Sequence, residues 1–277
     1  MRNNDISYKQ LYDLKGKTAI ITGGVGILGQ HFCKGLAEHG ANIAVVDVNG
    51  DSSKEFAQQL VDEYKVKALG IQCNVADPSS VSNMVQKVIE YFGSINILHN
   101  NAASKSSDLN EFFADYEDYS LEQWREIMSV NIDGMFLVSQ AVGKQMVMQG
   151  KGGSIIQTAS IYGVVAPDNR IYENSFYLGR TINTPAVYSA SKAAVIGLTK
   201  YLSCYWAKHK IRVNTLTPGG NESGQNDEFK SRYSHRVPLG RMGQPYEMVG
   251  AVVYLASDAS SYVTGQNIIV DGGLSAW

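Results

Sequence analysis

The 277-residue chain reads as a single-domain α/β protein, a doubly wound parallel sheet with helices on both faces. Three observations predict this. Short β-branched runs alternate with helix-like segments along the chain. The runs are almost continuously apolar, as strands buried on both faces of a parallel sheet should be. No linker, repeat or low-complexity tract divides the sequence. In such sheets, ligands bind outside the carboxyl ends of the strands.

The elements follow in order. Residues 1–15 form a polar N-terminal extension, and the domain proper spans 16–277. "TAIIT" (18–22) is the first strand, followed by a glycine-rich turn and a helix marked by Leu28, Phe32 and Leu36. "NIAVVD" (42–47) and "ALGIQC" (68–73) are the next strands. Asp77-Pro78 reads as an N-cap with proline at the first helical position. Val81, Val85, Val88 and Ile89 then carry the stripe of that helix. "INILHN" (95–100), "GSIIQTAS" (153–160), "IRVNTLTP" (211–218) and "QNIIVDGG" (266–273) complete the strands. Two long apolar-striped segments, 121–149 and 187–208, are expected to flank a site.

Hydrophobic residues at 44% and charged residues at 18% suit a compact body with a real core. A net charge of −2 gives no basic surface for nucleic acid or anionic membrane. Cys33, Cys73 and Cys204 are scattered and odd in number, which points away from a disulfide framework and towards a reducing compartment. The five histidines show no paired spacing, so no metal site is expected. The polar start lacks an apolar signal region, and no run approaches the roughly 18 apolar residues of a membrane span. The expectation is a cytoplasmic protein.

Chemistry enters at "TAIITGGVGILGQ" (18–30). Gly24, Gly26 and Gly29 spell G-x-G-x-x-G, while Thr22, Gly23, Gly26 and Gly29 spell T-G-x-x-G-x-x-G. Either register describes a turn between strand and helix whose backbone approaches a pyrophosphate at the helix N-terminus. Asp47 ends the next strand, 23 positions after Gly24, close to the spacing expected for a carboxylate that accepts from an adenine ribose 2′-hydroxyl. The same carboxylate repels a 2′-phosphate, and Val25, Val48 and Asn49 offer no cation to replace it. NAD is the expected cofactor.

At "VYSASK", Tyr188 and Lys192 stand one helical turn apart on one face, and Ser160 ends an earlier strand. A phenol with an ordinary pKa near 10 needs help to exchange protons at neutrality. A neighbouring ammonium and a positive nicotinamide ring would lower that value, a shift to about 7 requiring roughly 4 kcal/mol. Ser160 would hold the reacting oxygen beside the phenol.

With these residues placed, the chain resembles the short-chain dehydrogenase/reductase family over residues 15–277. "HNNAA" (99–103) matches the family's N-N-A-G, with Ala103 in place of the glycine. Asn131 in "VNIDG", "TPGG" (217–220) and "YVTGQNIIVDGG" (262–273) match further family segments. The resemblance implies a Rossmann fold and a catalytic tetrad of Asn131, Ser160, Tyr188 and Lys192, with Asn131 relaying protons through water. It also implies cofactor contacts at Gly23, Gly26, Ile27, Leu28, Gly29, Asp47, Val48, Asn74, Val75, Asn100, Ala102, Tyr188, Lys192, Pro218 and Gly219. Family members pair helices between subunits, which implies a homodimer or homotetramer.

Two departures refine the picture. The second loop glycine falls at Gly26 rather than at Ile27, the register of the family's extended epimerases and dehydratases, on a body of the shorter branch. Asn74 also replaces the usual aspartate. Second, Ser160 and Tyr188 are 28 positions apart, roughly twice the usual spacing. The extra residues lie within 164–186 and include Tyr172, Glu173, Asn174, Tyr177 and Arg180. Tyrosines interleaved with amides and carboxylates suit a sugar-like substrate. A second substrate loop, 219–241, has mixed charge and no clear periodicity. In it, Arg232, Tyr233, His235 and Arg236 are candidates for a phosphate or carboxylate, with a solvated lid as the alternative.

"SIYGVVAPDNRIYE", "PLGRMGQP" and "GGLSAW" resemble oxidoreductases of flagellin modification and surface-sugar biosynthesis. The leading expectation is an NAD-dependent secondary-alcohol dehydrogenase or ketone reductase acting on a sugar-like compound. A sugar-nucleotide epimerase or dehydratase with tightly bound NAD, and a non-catalytic NAD-binding sensor, are the alternatives.

Overall fold

A computed structural model describes residues 7–106, 108–177 and 179–277, without the side chains of Tyr177 and Arg180. Those two candidate substrate side chains, and residues 1–6 of the extension, lie outside what is described.

β1 (Thr18–Thr22) turns into α1 (Ile27–Glu38), β2 (Asn42–Asp47) into α2 (Gly50–Tyr64), and β3 (Ala68–Gln72) into α3 (Pro78–Phe92). β4 (Ile97–Asn100) leads to α4 (Leu109–Phe112), α5 (Leu121–Met128) and α6 (Gly134–Gln149). After β5 (Gly153–Thr158) come a small hairpin, β6 (Phe176–Tyr177) and β7 (Arg180–Thr181), and then α7 (Ala186–Tyr205). β8 (Ile211–Pro218) precedes α8 (Asp227–Ser234) and α9 (Val249–Ala256), and β9 (Asn267–Val270) closes the series.

Seven strands form one sheet in the order β3-β2-β1-β4-β5-β8-β9, and its pairs are parallel. The chain builds outward from β1 to β3, then returns to the other side of β1 with β4. That reversal is the switch point at which such sheets hold ligands.

Alternation along the strands sends side chains to opposite faces. Ile21, Ile43 and Val45 join Phe32, Leu36, Phe56 and Leu255 on one face. Ile20, Ala44, Val46 and Leu98 join Met84, Val88, Val142 and Met146 on the other. Full burial of each leucine-sized side chain contributes about 1.5–3 kcal/mol, so both faces must be covered and the chain folds as the expected Rossmann-like sandwich. The α3 start matches its sequence signal, since the Asp77 carboxylate accepts from the Ser79 N–H and Pro78 opens the helix.

Three differences from the sequence reading affect the site. The segment 121–149 is not one helix: a π-helical turn at Ser129–Asp133 separates α5 from α6. Within the polar extension, Leu14 is fully buried in the β1–α1 core and its N–H donates to the His39 carbonyl. The loop 219–241 contains α8, capped by Asn226, which buries Phe229 and Tyr233. These two residues join Ile171, Tyr172 and Leu274 in a third, separate apolar cluster, forming a cap attached at the carboxyl ends of β5 and β8. Among the described residues, no helix is long and apolar enough to cross a membrane.

Candidate active site

The glycine loop leaves β1 through Gly23, whose φ of +64° favours glycine. A Cβ on Gly29 would lie 2.0 Å from the Gly23 carbonyl oxygen, so α1 packs against the turn only because residue 29 has no side chain. Gly26 differs. It caps α1, and the nearest atom to a Cβ there, the Gly23 oxygen, is 3.2 Å away. The fold alone demands little of Gly26, so a close ligand backbone approach is the better reason for glycine there. Among the described residues, no N-cap side chain bonds the first turn of α1, and Ile27 is exposed beside it, while Leu28 packs partly against the core. The loop thus fits the phosphates of a dinucleotide.

Asp47 sits at the end of β2, where the Val25 N–H donates to Oδ2 at 3.3 Å and the Asn49 N–H to Oδ1 at 3.2 Å. Its carboxylate is therefore held between the glycine loop and the residue after the strand, with Val48 exposed alongside. Asn74 spends its side chain on a local turn, accepting from the Ala76 N–H at 3.1 Å. Val75 is buried against Gly134 at the start of α6.

Asn100 is a buried joint. Its Nδ2 donates to the Met135 carbonyl at 3.0 Å, and its Oδ1 accepts from the Thr22 hydroxyl at 3.2 Å. The Thr22 oxygen in turn accepts from the N–H groups of Asn101 and Ala102 at 2.9 and 3.0 Å. Ala102 comes so close to Gly23 that a Cβ there would lie 3.0 Å from its Cα. Sequence reasoning did not assign this role to Thr22 or Asn101. The threonine of the T-G register was the available signal. Pro218 ends β8, and the Gly219 N–H donates to the Val270 carbonyl, with Asp271 leaving no room for a side chain at residue 219.

Ser160, Tyr188 and Lys192 come together beyond the carboxyl end of β5, and Asn131 reaches this group only through the Ser191 hydroxyl, which donates to the Tyr188 carbonyl. Ser160 is buried just beyond β5, its Oγ accepting from the Tyr162 N–H. Lys192 is 2% exposed, donates from Nζ to the Thr158 carbonyl at 3.1 Å, and lies 5.8 Å from the centre of the Tyr188 ring. Burial brings its ammonium down to about 8. Burial also pushes the Tyr188 phenol above its ordinary value, the reverse of what base chemistry at neutrality requires, while the Ser160 hydroxyl beside it pulls the other way. Asn131 lies fully buried in the π-helical turn, a local geometry that recurs at functional sites. Its Oδ1 accepts from the Ser104 N–H at 2.8 Å and its Nδ2 donates to the Ser191 hydroxyl at 3.3 Å.

Beside Tyr188 opens a cavity of about 310 Å³. Ile27 of the glycine loop lines one part of it; Thr184, Phe176 and Phe229 of the cap and Phe113 line others. The loop residues singled out from the sequence do other work. Arg232 pairs with Glu173 at 2.9 Å and Glu228 at 2.7 Å, and Arg236 faces Asp168 at 3.4 Å. Tyr233 is buried with its oxygen accepting from the Gly220 N–H. Asn174 and His235 are exposed, and none of these residues lines the cavity. The sequence offered Arg232 and Arg236 either as contacts for a substrate anion or as part of a solvated lid; in the structure both form ion pairs within the cap.

The model of a known family, described as short chain dehydrogenase, matches residues 17–234. The chain belongs to the short-chain dehydrogenase family. It is similar to a sorbose reductase of Candida albicans, 37% identical over 270 residues that cover 95% of this chain and 88% of that protein. A gluconate 5-dehydrogenase from Burkholderia cenocepacia, solved with NADP and tartrate, superposes with a TM-score of 0.84 at 34% identity, covering 97% and 98% of the two chains. A short chain dehydrogenase from Leptospira borgpetersenii with bound NAD+ gives 0.83 at 31% identity, covering 99% of each. As a short-chain dehydrogenase the protein is an oxidoreductase of a family that binds nicotinamide cofactors.

Proposed function

We propose that this short-chain dehydrogenase interconverts a secondary alcohol and a ketone on a sugar or sugar derivative, with NAD(H) as its cofactor. The observation that carries the proposal is the meeting of Ser160, Tyr188 and Lys192 beside a cavity walled by aromatic faces, hydroxyls and amides. Such walls suit a polyhydroxylated chain, whose C–H surfaces pack on rings while its hydroxyls take hydrogen bonds.

Ser160 Oγ holds the reacting oxygen of the substrate. Tyr188 Oη takes the hydroxyl proton in oxidation and returns it in reduction. Lys192 holds positive charge beside that phenol and favours its ionised form, against the push of burial. Asn131 fixes the turn between α5 and α6 and connects it to α7 through Ser191, a position suited to relaying the proton to water. Gly23, Gly26, Ile27, Leu28 and Gly29 of the glycine loop would hold a nicotinamide dinucleotide, with Asp47 towards its ribose, and the bound dinucleotide would supply the hydride acceptor or donor. Asp47 supports NAD over NADP because a carboxylate accepts from a free 2′-hydroxyl and repels a phosphate.

The role in surface-glycan or flagellin modification rests on the resemblance of "SIYGVVAPDNRIYE", "PLGRMGQP" and "GGLSAW" to oxidoreductases of those processes. The register of Gly26 favours a second reading, an epimerase or dehydratase that keeps NAD bound without net redox. Exposed Phe136, Tyr201 and Tyr205 on α6 and α7 support a homodimer or homotetramer, and a cytoplasmic location completes the proposal.

The test is NADH or NADPH formation by wild type and Tyr188→Phe over sugars, sugar phosphates, nucleotide sugars and simple secondary alcohols. Turnover of a sugar-like member with NAD, lost in Tyr188→Phe, is the expected result. Retained NAD in the purified protein with no net turnover would favour the epimerase reading, and a preference for NADP would remove the role given to Asp47.

A further inference from the structure

We propose that Thr184 reads a second hydroxyl of the substrate, close to the one oxidised, and that Tyr172 of the insertion holds Thr184 in place to do so. This assignment rests on the secondary-alcohol chemistry proposed above and narrows its substrates to those with at least two neighbouring oxygens.

Thr184 lines the cavity together with Tyr188. Its Oγ1 lies 2.5 Å from the phenol oxygen of Tyr172, which lies 3.4 Å from that of Tyr162. Tyr172 is only 7% exposed. Its ring is fixed in the cap cluster, 5.5 Å from the ring of Phe229. Two further constraints act on Thr184 itself. Its β-branch restricts χ1, and Pro185 after it disfavours helical backbone at residue 184. The hydroxyl therefore stands preorganised at the cavity wall.

Counting protons gives the chemistry of the ligand. Three hydroxyls share two hydrogen bonds, and the row can run in either direction. With Thr184 donating to Tyr172 and Tyr172 to Tyr162, the lone pairs of Thr184 remain for a donor in the cavity. With the row reversed, Thr184 keeps its proton for an acceptor. A group that is both donor and acceptor suits both orders, and a substrate hydroxyl is such a group. A carboxylate is served by only one order and an ammonium by only the other. Thr184 and Tyr188 line the same cavity, so the hydroxyl read by Thr184 lies near the reacting carbon.

The test compares butane-2,3-diol with butan-2-ol, a pair differing by one neighbouring hydroxyl, in wild type, Thr184→Val, Thr184→Ser and Tyr172→Phe. Thermal unfolding of each variant is followed alongside. Wild type is expected to favour the diol in kcat/KM. Thr184→Val should reduce that preference about 3- to 10-fold, the range of one neutral hydrogen bond, with the loss in KM for the diol. Thr184→Ser should restore the preference and Tyr172→Phe should weaken it. A diol preference as large in Thr184→Val as in wild type overturns the assignment while leaving the alcohol chemistry intact. So does a Thr184→Val that loses both alcohols equally, since that is the mark of a merely structural residue. Wild type that fails to favour the diol, or acts on neither alcohol, overturns this assignment, while turnover over the sugar panel described above decides the alcohol chemistry separately.

Discussion

The glycine loop and the cap line the same cavity but hold their shapes by different means. The loop is fixed by backbone contacts and by neighbours in the sheet: Gly29 against the Gly23 carbonyl, Thr22 against Asn100 across two adjacent strands. The cap is fixed by side chains from distant segments: Tyr172 against Phe229, Arg232 with Glu173, Arg236 with Asp168. A shape set by backbone and sheet leaves few ways to vary. A shape set by side chains leaves many. The difference teaches that the cofactor geometry and substrate choice proposed for these regions would be held by separable parts of one fold.

The largest expected effect lies where the two regions meet. Tyr188→Phe removes the proposed proton-transfer group and should lower kcat by about 10²–10⁴-fold, with little change in melting temperature because the ring is kept. A melting temperature that falls in parallel would mean that the phenol serves the cap rather than the chemistry.

Next in size is Gly29→Ala. The new methyl group would meet backbone, which cannot swing away as a side chain can. Overpacking of this kind should destabilise the protein by about 3 kcal/mol, measured by denaturant unfolding. Gly26→Ala has more room and should leave stability nearly intact while weakening dinucleotide binding, measured by NADH fluorescence titration. Equal losses of stability in both variants would show that the loop glycines serve only the fold.

The same contrast explains what the sequence revealed. The succession of strands and helices along the chain, the burial of both sheet faces and the glycine loop were legible because their signals are local, such as the β-branched runs or Asp77-Pro78 ahead of α3. Tyr188 and Lys192 were legible through motif spacing, Ser160 through its place at the end of a strand and Asn131 only through the family resemblance; the structure sets Ser160 and Lys192 beside Tyr188 and links Asn131 to them through Ser191. Helix α8 was not legible, since its buried stripe consists only of Phe229 and Tyr233. The pairing of Arg232 with Glu173 was hidden for another reason: a charge shows no partner until the chain brings one from 59 positions away. Thr184 drew no notice because a lone hydroxyl acquires meaning only from Tyr172 folded against it.

Lys192→Met offers a smaller effect with a definite sign. Burial holds the ammonium down at about 8 against an ordinary 10.5. Between those values the unfolded chain binds more protons than the folded one, so this group's contribution to stability rises with pH across that window. Below about pH 8 the full penalty, roughly 3 kcal/mol, is present. Removing the charge relieves it but leaves the Thr158 carbonyl without its donor, which costs about 1–2 kcal/mol. Lys192→Met should therefore be more stable than wild type at pH 7 by about 1 kcal/mol, and the advantage should shrink and disappear between pH 8 and 10.5, while activity is lost at every pH. An advantage that does not vary with pH would place the ammonium in water.

The smallest effect tests the cap alone. Arg232 joins α8 to the insertion, with Nη1 donating to the Arg170 carbonyl and to Glu173 while Nε bonds Glu228. Each ion pair is solvent-facing and individually weak, so Arg232→Ala should leave global unfolding almost unchanged. The apolar cluster of Ile171, Tyr172 and Phe229 then has to hold the two segments together by itself. Hydrogen exchange at Ile171 and Tyr172 should quicken in Arg232→Ala while exchange in β1 and β2 stays as in wild type, and KM should rise about twofold with kcat retained. Exchange that quickened equally in the cap and in the sheet would show that the two parts yield together, and the separation between cofactor geometry and substrate choice would fail at its most accessible contact.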